Sequence, residues 1–330
     1  MKAILHIPHL QCELAMAEML SAIGYQPYGI GGNIVRKLNT MKPQVSSKLE
    51  PRTGDLKDCD LFVVVKHYMI NQVLTMFPFL KDKLLWFDIN GGVPDQHIKA
   101  NSYKTYPSLV PAPYASANKR YTDSSEYNVS GPRYICYPPL HRSQKQAALR
   151  QPRVINGNAI CLVHNPYKWG YGWIVDPLRR RGVRFYGSHK APMGLLPQGD
   201  VLRFLSGSLC YVHAKSHDCP GYSLYQSMLV GCPVIVTSEF VKFTRFTDLY
   251  VHEETCLIAE DSLDPDLSKR ALKLTRQFVD LIDSLKDPVR NKKLGEAGRD
   301  RLLSLMWSPD RKSDVDSFRT FINNNFGPKS

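Results

Sequence analysis

Residues 205–237, LSGSLCYVHAKSHDCPGYSLYQSMLVGCPVIVT, constrain the fold more than any other stretch of the chain. Their spacing predicts strand, loop, helix and strand in immediate succession. Leu209–His213 is a short apolar run rich in β-formers, and Lys215–Gly221 is a polar loop closed by Pro-Gly. Tyr222–Val230 has helical periodicity, Gly231 stops it, and Pro233–Thr237 opens another buried strand. Asp218 then lies in a loop just ahead of a helix N-terminus, with Gln226 on the helix behind it. A helix N-terminus offers N–H groups outside the helical ladder and a partial positive charge, which together seat a phosphate. An acid beside that seat and a polar group on the helix would hold the hydroxyls of whatever carries the phosphate. The commoner role for an Asp before a helix is a cap, and the two roles are compatible.

The same alternation runs through the rest of the chain. Strands are expected at Ala3–Ile7, Gln26–Ile30, Leu61–Val65 and Leu84–Ile89, with helices at Cys12–Ile23 and Met69–Phe77. Pro138-Pro139 and the polar run His141–Pro152 read as a linker. A second series follows: strand Ala159–His164, helix Gly172–Arg181, strand Val183–Tyr186, helix Gly199–Leu205, the opening stretch, and a short strand at Cys256–Ile258. Helices at Leu267–Leu285, Val289–Met306 and Asp314–Asn323 close the chain. Alternating strands and helices imply parallel sheets with helices on both faces. The expectation is two α/β domains, 1–150 and 151–311, with the C-terminal helix of 312–330 packing back on the first.

No run of 18 uninterrupted apolar residues marks a spanning helix. The N-terminus lacks an apolar core followed by a small-residue cleavage site, so no signal peptide is expected. Eight cysteines are scattered without CxxC pairs, several in strand-like runs. That suits reduced core thiols in a cytoplasm better than disulfides or zinc. The net charge of +13 is shared, +7 of it in residues 1–150 and +6 beyond. Such a surplus fits either an ordinary enzyme of basic pI or one with an anionic partner.

Two segments gather that charge. Residues 31–55 form a long polar loop carrying Arg36, Lys37, Lys42, Lys48 and Arg52, and long loops in compact domains are commonly functional or disordered. Residues 100–127 interleave Tyr103, Lys104, Tyr106, Tyr114, Lys119, Arg120 and Tyr121. Either those rings pack locally in an irregular connection, or they stack on bases or sugars while the cations meet phosphates.

Four segments, in order over about 150 residues, resemble the nucleotide-sugar-binding half of retaining glycosyltransferases of the GT-B fold. ICLVHNPYKWGYGWIVDPL resembles that family's strand, Lys-Gly loop and helix, and RGVRFYGS its strand ending in glycine. LPQGDVLRFLSGSLCYVHAK resembles its Leu-Pro, short helix and strand. DCPGYSLYQSMLVGCPVIVT resembles its two acids separated by seven residues, a small-residue helix and Gly-x-Pro-Val. The resemblance implies an α/β protein of two Rossmann-like domains facing a central cleft, the donor bound by the second. The first half carries no comparable signature beyond its strand order.

Roles follow from the resemblance. The family's first acid falls on Asp218, where it would accept from donor-sugar hydroxyls. Its second falls on Gln226, where it would hold the ribose diol; a glutamine still bonds a diol but removes a charge. Backbone N–H groups of Gly221, Tyr222 and Ser223 would take the diphosphate. Lys168 falls on the lysine that neutralises the leaving group, a point charge that needs no metal. His164 and Asn165 stand where the family carries an arginine, and Asn165 falls on the donor side. The implied donor is a nucleotide sugar, a UDP-sugar by preference, with no metal and no further cofactor.

On the acceptor side, LLWFDING resembles the first-domain strand that ends near the reacting sugar, and puts Asp88 there. Asp88 would either bond a donor hydroxyl or orient the acceptor, or it ties down the Asn90-Gly91-Gly92 turn. His9 and Gln11, in the loop PHLQCE, would face the cleft, whereas His6 is expected as a core histidine. Gly29-Ile-Gly31-Gly32 opens no clear helix, which counts against a nicotinamide cofactor. The acceptor expected first is a 5-hydroxymethylpyrimidine in phage DNA, met by Arg36, Lys37, Lys119 and Arg120 as phosphate contacts, with rings for an extruded base. DCPGYSLYQSMLVGCPVIV and, further on, DLYVHEETCLIAED also resemble segments of tailed-phage glycosyltransferases, which implies the host cytoplasm. The alternatives are an enzyme of surface-glycan or lipid-glycan synthesis, and a non-catalytic nucleotide-sugar- or DNA-binding homologue.

Overall fold

A computed structural model describes residues 1–7, 10–30, 56–65, 67–87, 106–111, 131–163, 171–187, 191–215, 221–244, 247–261 and 264–327. The chain divides into two compact units, one of Met1–His141 with Met306–Ser330 and the other of Arg142–Leu305.

The first unit carries six parallel strands: β1 (Lys2–His6), β2 (Gln26–Gly29), β3 (Leu61–Val64), β4 (Leu84–Phe87), β5 (Ser108–Pro111) and β6 (Arg133–Cys136). Their order is β2-β1-β3-β4-β5-β6. LFVV of β3 and LLWF of β4 are buried along their whole length, as strands covered on both faces must be. Helices α1 (Leu10–Ala22) and α2 (His67–Met76) follow β1 and β3. His6 is buried at the end of β1, with its ring against Phe62.

Two strands appear where no strand was expected. β5 lies inside the Tyr/Pro/Ser-rich segment read as an irregular connection, and β6 follows beyond it. Both are four residues long, too short for alternation to rise above their polar surroundings, and pairing with β4 and with each other decides them. The expected linker is also not a coil throughout. Arg142–Arg150 forms helix α3, made of good helix formers with only Ala148 buried.

The second unit holds β7 (Ile160–Val163), β8 (Arg184–Gly187), β9 (Tyr211–Val212), β10 (Val234–Thr237) and β11 (Leu257–Ala259), ordered β11-β10-β9-β7-β8 and all parallel. Its helices are α4 (Gly172–Arg180), α5 (Val201–Gly207), α6 (Tyr222–Leu229), α7 (Ser238–Thr244), α8 (Leu267–Ser284) and α9 (Pro288–Leu305). The core joins Cys161, Val163, Ile174, Phe185, Val212 and Ile235 to Leu274 and Phe278 of α8. Helix starts are chemically marked: Asp266 accepts from the N–H groups of Ser268 (2.8 Å) and Lys269 (3.3 Å), and Asp287 accepts from Val289 (2.9 Å).

Close packing fixes α6, the helix of the opening stretch. A Cβ added at Gly295 of α9 would lie 2.0 Å from the Gly231 carbonyl oxygen, just past the end of α6. One added at Gly298 would lie 2.7 Å from the Thr255 carbonyl oxygen. Only glycine lets α9 come this near. Arg153 secures the other end of the sheet. Its guanidinium donates to the carbonyls of Ser206 (2.7 Å) and Leu209 (3.0 Å), at and beyond the end of α5, and to Oδ1 of buried Asn291 (3.2 Å). The last helix, α10 (Lys312–Phe326), belongs to the first unit. Tyr134 of β6 lies against Phe318 and Phe321 of α10, and its hydroxyl meets Ser317 at 2.8 Å.

Among the described residues no helix is long and apolar enough to cross a membrane. The seven described cysteines are free thiols, six of them buried. Burial raises the thiols of Cys161 and Cys232 to about 11, so they stay protonated near neutrality.

Candidate functional site

In an open parallel sheet, ligands bind beyond the carboxyl ends of the strands, where the strand order reverses. In the second unit that reversal falls between β7 and β9, which are neighbours in the sheet but not in sequence. The chain leaving β7 at Val163 runs through Asn165 and Lys168 and is described again from Tyr171. The chain leaving β9 runs past Lys215 and Asp218 and is described again from Gly221. Thus the two segments singled out by sequence depart from the two strands that flank the reversal. Asn165, Lys168 and Asp218 themselves lie outside the described residues.

Gly221 is the N-cap of α6, at φ 67° and ψ 53°, with no side-chain cap hydrogen bond. A left-handed backbone at this point favours glycine. The helix's own ladder starts with the N–H groups of Leu224 and Tyr225, which donate to the Gly221 carbonyl at 2.8 and 3.2 Å. The N–H groups of Tyr222 and Ser223 therefore lie ahead of the ladder, at the positive end of the helix. Gln226, three residues after Ser223 and four after Tyr222, shares their side of α6 and is 6% exposed. The structure thus brings Gly221, Tyr222, Ser223 and Gln226 together on one helical turn and a half.

A buried polar chain holds that turn. The hydroxyl of fully buried Tyr211, the first residue of β9, lies 2.9 Å from Ser223 Oγ, 3.2 Å from the Leu162 carbonyl and 3.3 Å from His213 Nδ1. It ties β7, β9 and the first turn of α6 into one framework. Ser223 Oγ is committed to this framework, which leaves the backbone N–H as its group for a ligand.

A second cluster went unnoticed in the sequence. Tyr171, where the Lys168 segment returns to described structure, is 1% exposed. Its hydroxyl lies 2.6 Å from Glu239 Oε2 and 2.9 Å from Asp261 Oδ2. Burial, with the Glu239 hydrogen bond next, pushes that hydroxyl far above the ordinary tyrosine pKa. Asp261 takes Arg270 through Nε at 2.9 Å and through Nη2, and its own N–H donates to Ser238 Oγ at 3.1 Å. Burial works to raise Asp261, but the hydrogen bonds from Arg270 and Tyr171 outweigh it and hold the carboxyl below its ordinary value. Arg270 also lies 5.7 Å above the Trp173 ring. Glu239 begins just after β10 and Asp261 just after β11. Polar residues immediately past parallel strands were the available signal.

In the first unit the reversal falls between β1 and β3. Gln11, in the first turn of α1, is 8% exposed, and its Oε1 has no hydrogen-bond partner among the described residues. Two residues on, Glu13 is wholly buried, and a Cβ at Gly29 would lie 2.0 Å from its Oε1. Gly29 closes β2, and Gly31 and Gly32 lie outside the described residues. His9, Arg36, Lys37, Asp88, Lys119 and Arg120 lie outside the described residues.

Two units of parallel sheet and helix, each with a strand-order reversal, have the fold of the GT-B glycosyltransferases. Over 99% of both chains the structure is similar to sucrose-phosphate synthase from Thermosynechococcus elongatus, at a TM-score of 0.59 and 13% identity. It is similar to a glycosyltransferase from Rickettsia africae ESF-5 over 98% of this chain and 99% of the other, at a TM-score of 0.61 and 12% identity. It is also similar to Anabaena HepE solved with UDP and glucose, over 98% of both chains, at a TM-score of 0.58 and 11% identity. No family model and no curated protein matches the sequence.

Proposed function

We propose that the protein is a glycosyltransferase that moves a sugar from a nucleotide-sugar donor, a UDP-sugar by preference, to an acceptor hydroxyl with retention of configuration. The observation that carries the reading is the turn at Gly221–Gln226. It is a helix start at which no described side chain caps the backbone, beside the strand-order reversal, held by Tyr211 and entered from the segment that contains Asp218. HepE, which has the same fold, was solved with UDP and glucose, and that supports a nucleotide sugar here.

In this reading the donor diphosphate sits on the N–H groups ahead of the α6 ladder. Lys168 neutralises the charge that develops as the anomeric carbon–oxygen bond breaks, so no metal is called for. Asp218 accepts from the sugar hydroxyls and Gln226 from the ribose. The acceptor oxygen bonds to the anomeric carbon on the face the diphosphate leaves. The departing phosphate oxygen takes the acceptor's proton, so no separate base is needed. The first unit supplies the acceptor contacts, with Gln11, His9 and Asp88 near the reacting hydroxyl.

The favoured acceptor is a 5-hydroxymethylpyrimidine in DNA, with Arg36, Lys37, Lys119 and Arg120 on the phosphates, and the favoured compartment is the cytoplasm. Support comes from the net charge of +13 and from the interleaved Tyr, Lys and Arg of residues 100–127. A panel of nucleotide sugars assayed on hydroxymethylated and unmodified DNA tests both levels. Sugar transfer to the modified DNA alone is the expected result. Release of nucleotide without transfer to DNA would retain the enzyme and remove this acceptor. No nucleotide release from any donor, with or without DNA, would remove the enzyme.

A further inference from the structure

At the amino ends of the same strands, opposite the proposed donor seat, the second unit holds a cavity of about 230 Å³. It opens between Ile160 and Arg184, the first residues of β7 and β8, and the turn from α5 to β9 at Gly207 and Ser208. Substrates of open α/β sheets bind at the other end, so this cavity is separate from that seat. Two guanidinium groups, Arg184 and Arg203, line it with the carboxamides of Asn156 and Asn158 and the ring of Phe204; no Asp or Glu does.

The four polar residues of the lining, Asn156, Asn158, Arg184 and Arg203, are exposed, and neighbouring groups order the backbone and the ring between them. Asp200 bonds Arg203 at 2.8 Å, and the Arg203 guanidinium lies 5.5 Å above the Phe204 ring. Phe204 in turn meets Tyr186 edge-on at 5.5 Å. The N–H groups of Asn156 and Gly157 both donate to the Gly207 carbonyl at 3.0 Å, and the Arg153 cage lies directly behind. Among the described residues Arg184 enters no ion pair, and its side chain is exposed.

The chemistry selects a compact anion with a polar body. A guanidinium fork matches phosphate oxygens, two carboxamides serve hydroxyls as donors and acceptors, and a ring face suits a sugar's C–H face. A concave space of this size does not follow a duplex backbone. We propose that the cavity is a second small-molecule site, which takes the phosphate monoester of a sugar-sized polyol. The proposal is independent of the function assigned to the opposite end, and the two sites can be filled together.

Calorimetric titration of the full chain with glucose 6-phosphate tests it, with glucose and a short DNA duplex as separate arms. Saturable one-site binding is expected for the ester and none for glucose. Arg184→Gln, an exposed substitution checked by circular dichroism, is expected to weaken binding at least tenfold. Asn158→Asp, which adds a negative charge at unchanged size, is expected to weaken it similarly. Saturating UDP leaves the affinity unchanged. Absence of saturable binding, full affinity in both variants, displacement by UDP or displacement by the duplex would each overturn the proposal.

Discussion

The two units solve the same topological problem and finish it differently. Both place a helix after the first strand and reverse strand order beside it. In the second unit polar groups lace the elements around the reversal: buried Tyr211 to Ser223, and buried Tyr171 to exposed Glu239 and to Asp261 with Arg270. At the same place in the first unit, among the described residues, stand buried Gln11 with an unbonded Oε1 and buried Glu13 above Gly29. In the proposed reading the lacing fixes the donor surface before the ligand arrives, which a leaving group with developing charge requires.

The difference breaks most sharply at Asp218. Asp218→Ala is expected to lower transfer by about 10²–10³-fold, the scale for losing one transition-state contact, with an unchanged circular dichroism spectrum. Retained transfer would put the donor contact elsewhere. Next is Gly295→Ala, which forces a methyl group into the Gly231 carbonyl. It should cost about 1–3 kcal/mol in urea unfolding and weaken UDP binding through α6, because backbone cannot yield as a side chain tip can. An equally stable variant would mean that α9 is free to move off α6.

Gln11→Ala sharpens the other side of the comparison. It should raise the acceptor KM by up to about tenfold, the scale of one hydrogen bond, with kcat and UDP affinity unchanged. A matching loss of UDP affinity would contradict the division of labour between units. The smallest effect concerns pH. The folded pKa of Asp261 is depressed, so its contribution to stability is present above the unfolded value, about 3.9, and is lost as pH falls through the lower folded value. Arg270→Gln should flatten that acid limb of an unfolding-against-pH curve. An unchanged limb would show that Arg270 does not hold the carboxyl down.

Much of the secondary structure could be read along the chain because it is written in local pattern. Continuous apolar runs such as LFVV and VIVT can only be buried strands or helix fragments, and their length and flanking turns decide for strands. The helix start at Gly221 was readable for the same reason, since Pro-Gly ahead of a periodic segment is a local signal. β5, β6 and α3 were not readable. Each is short, and the first two owe their state to a neighbouring strand far along the chain.

By itself, then, the sequence determined the alternation of strand and helix, the glycine at the start of α6, and the acid and amide with seven residues between them around it. Tertiary structure alone decided strand order, and with it which loops lie beside the reversal. It also brought Tyr171, Glu239, Asp261 and Arg270 into one cluster, and set Gly295 of α9 against Gly231. Hydrophobic periodicity and capping are short-range properties of the chain. Strand neighbours and buried hydrogen bonds are chosen by which surfaces, distant in sequence, fit together without leaving polar groups unpaired.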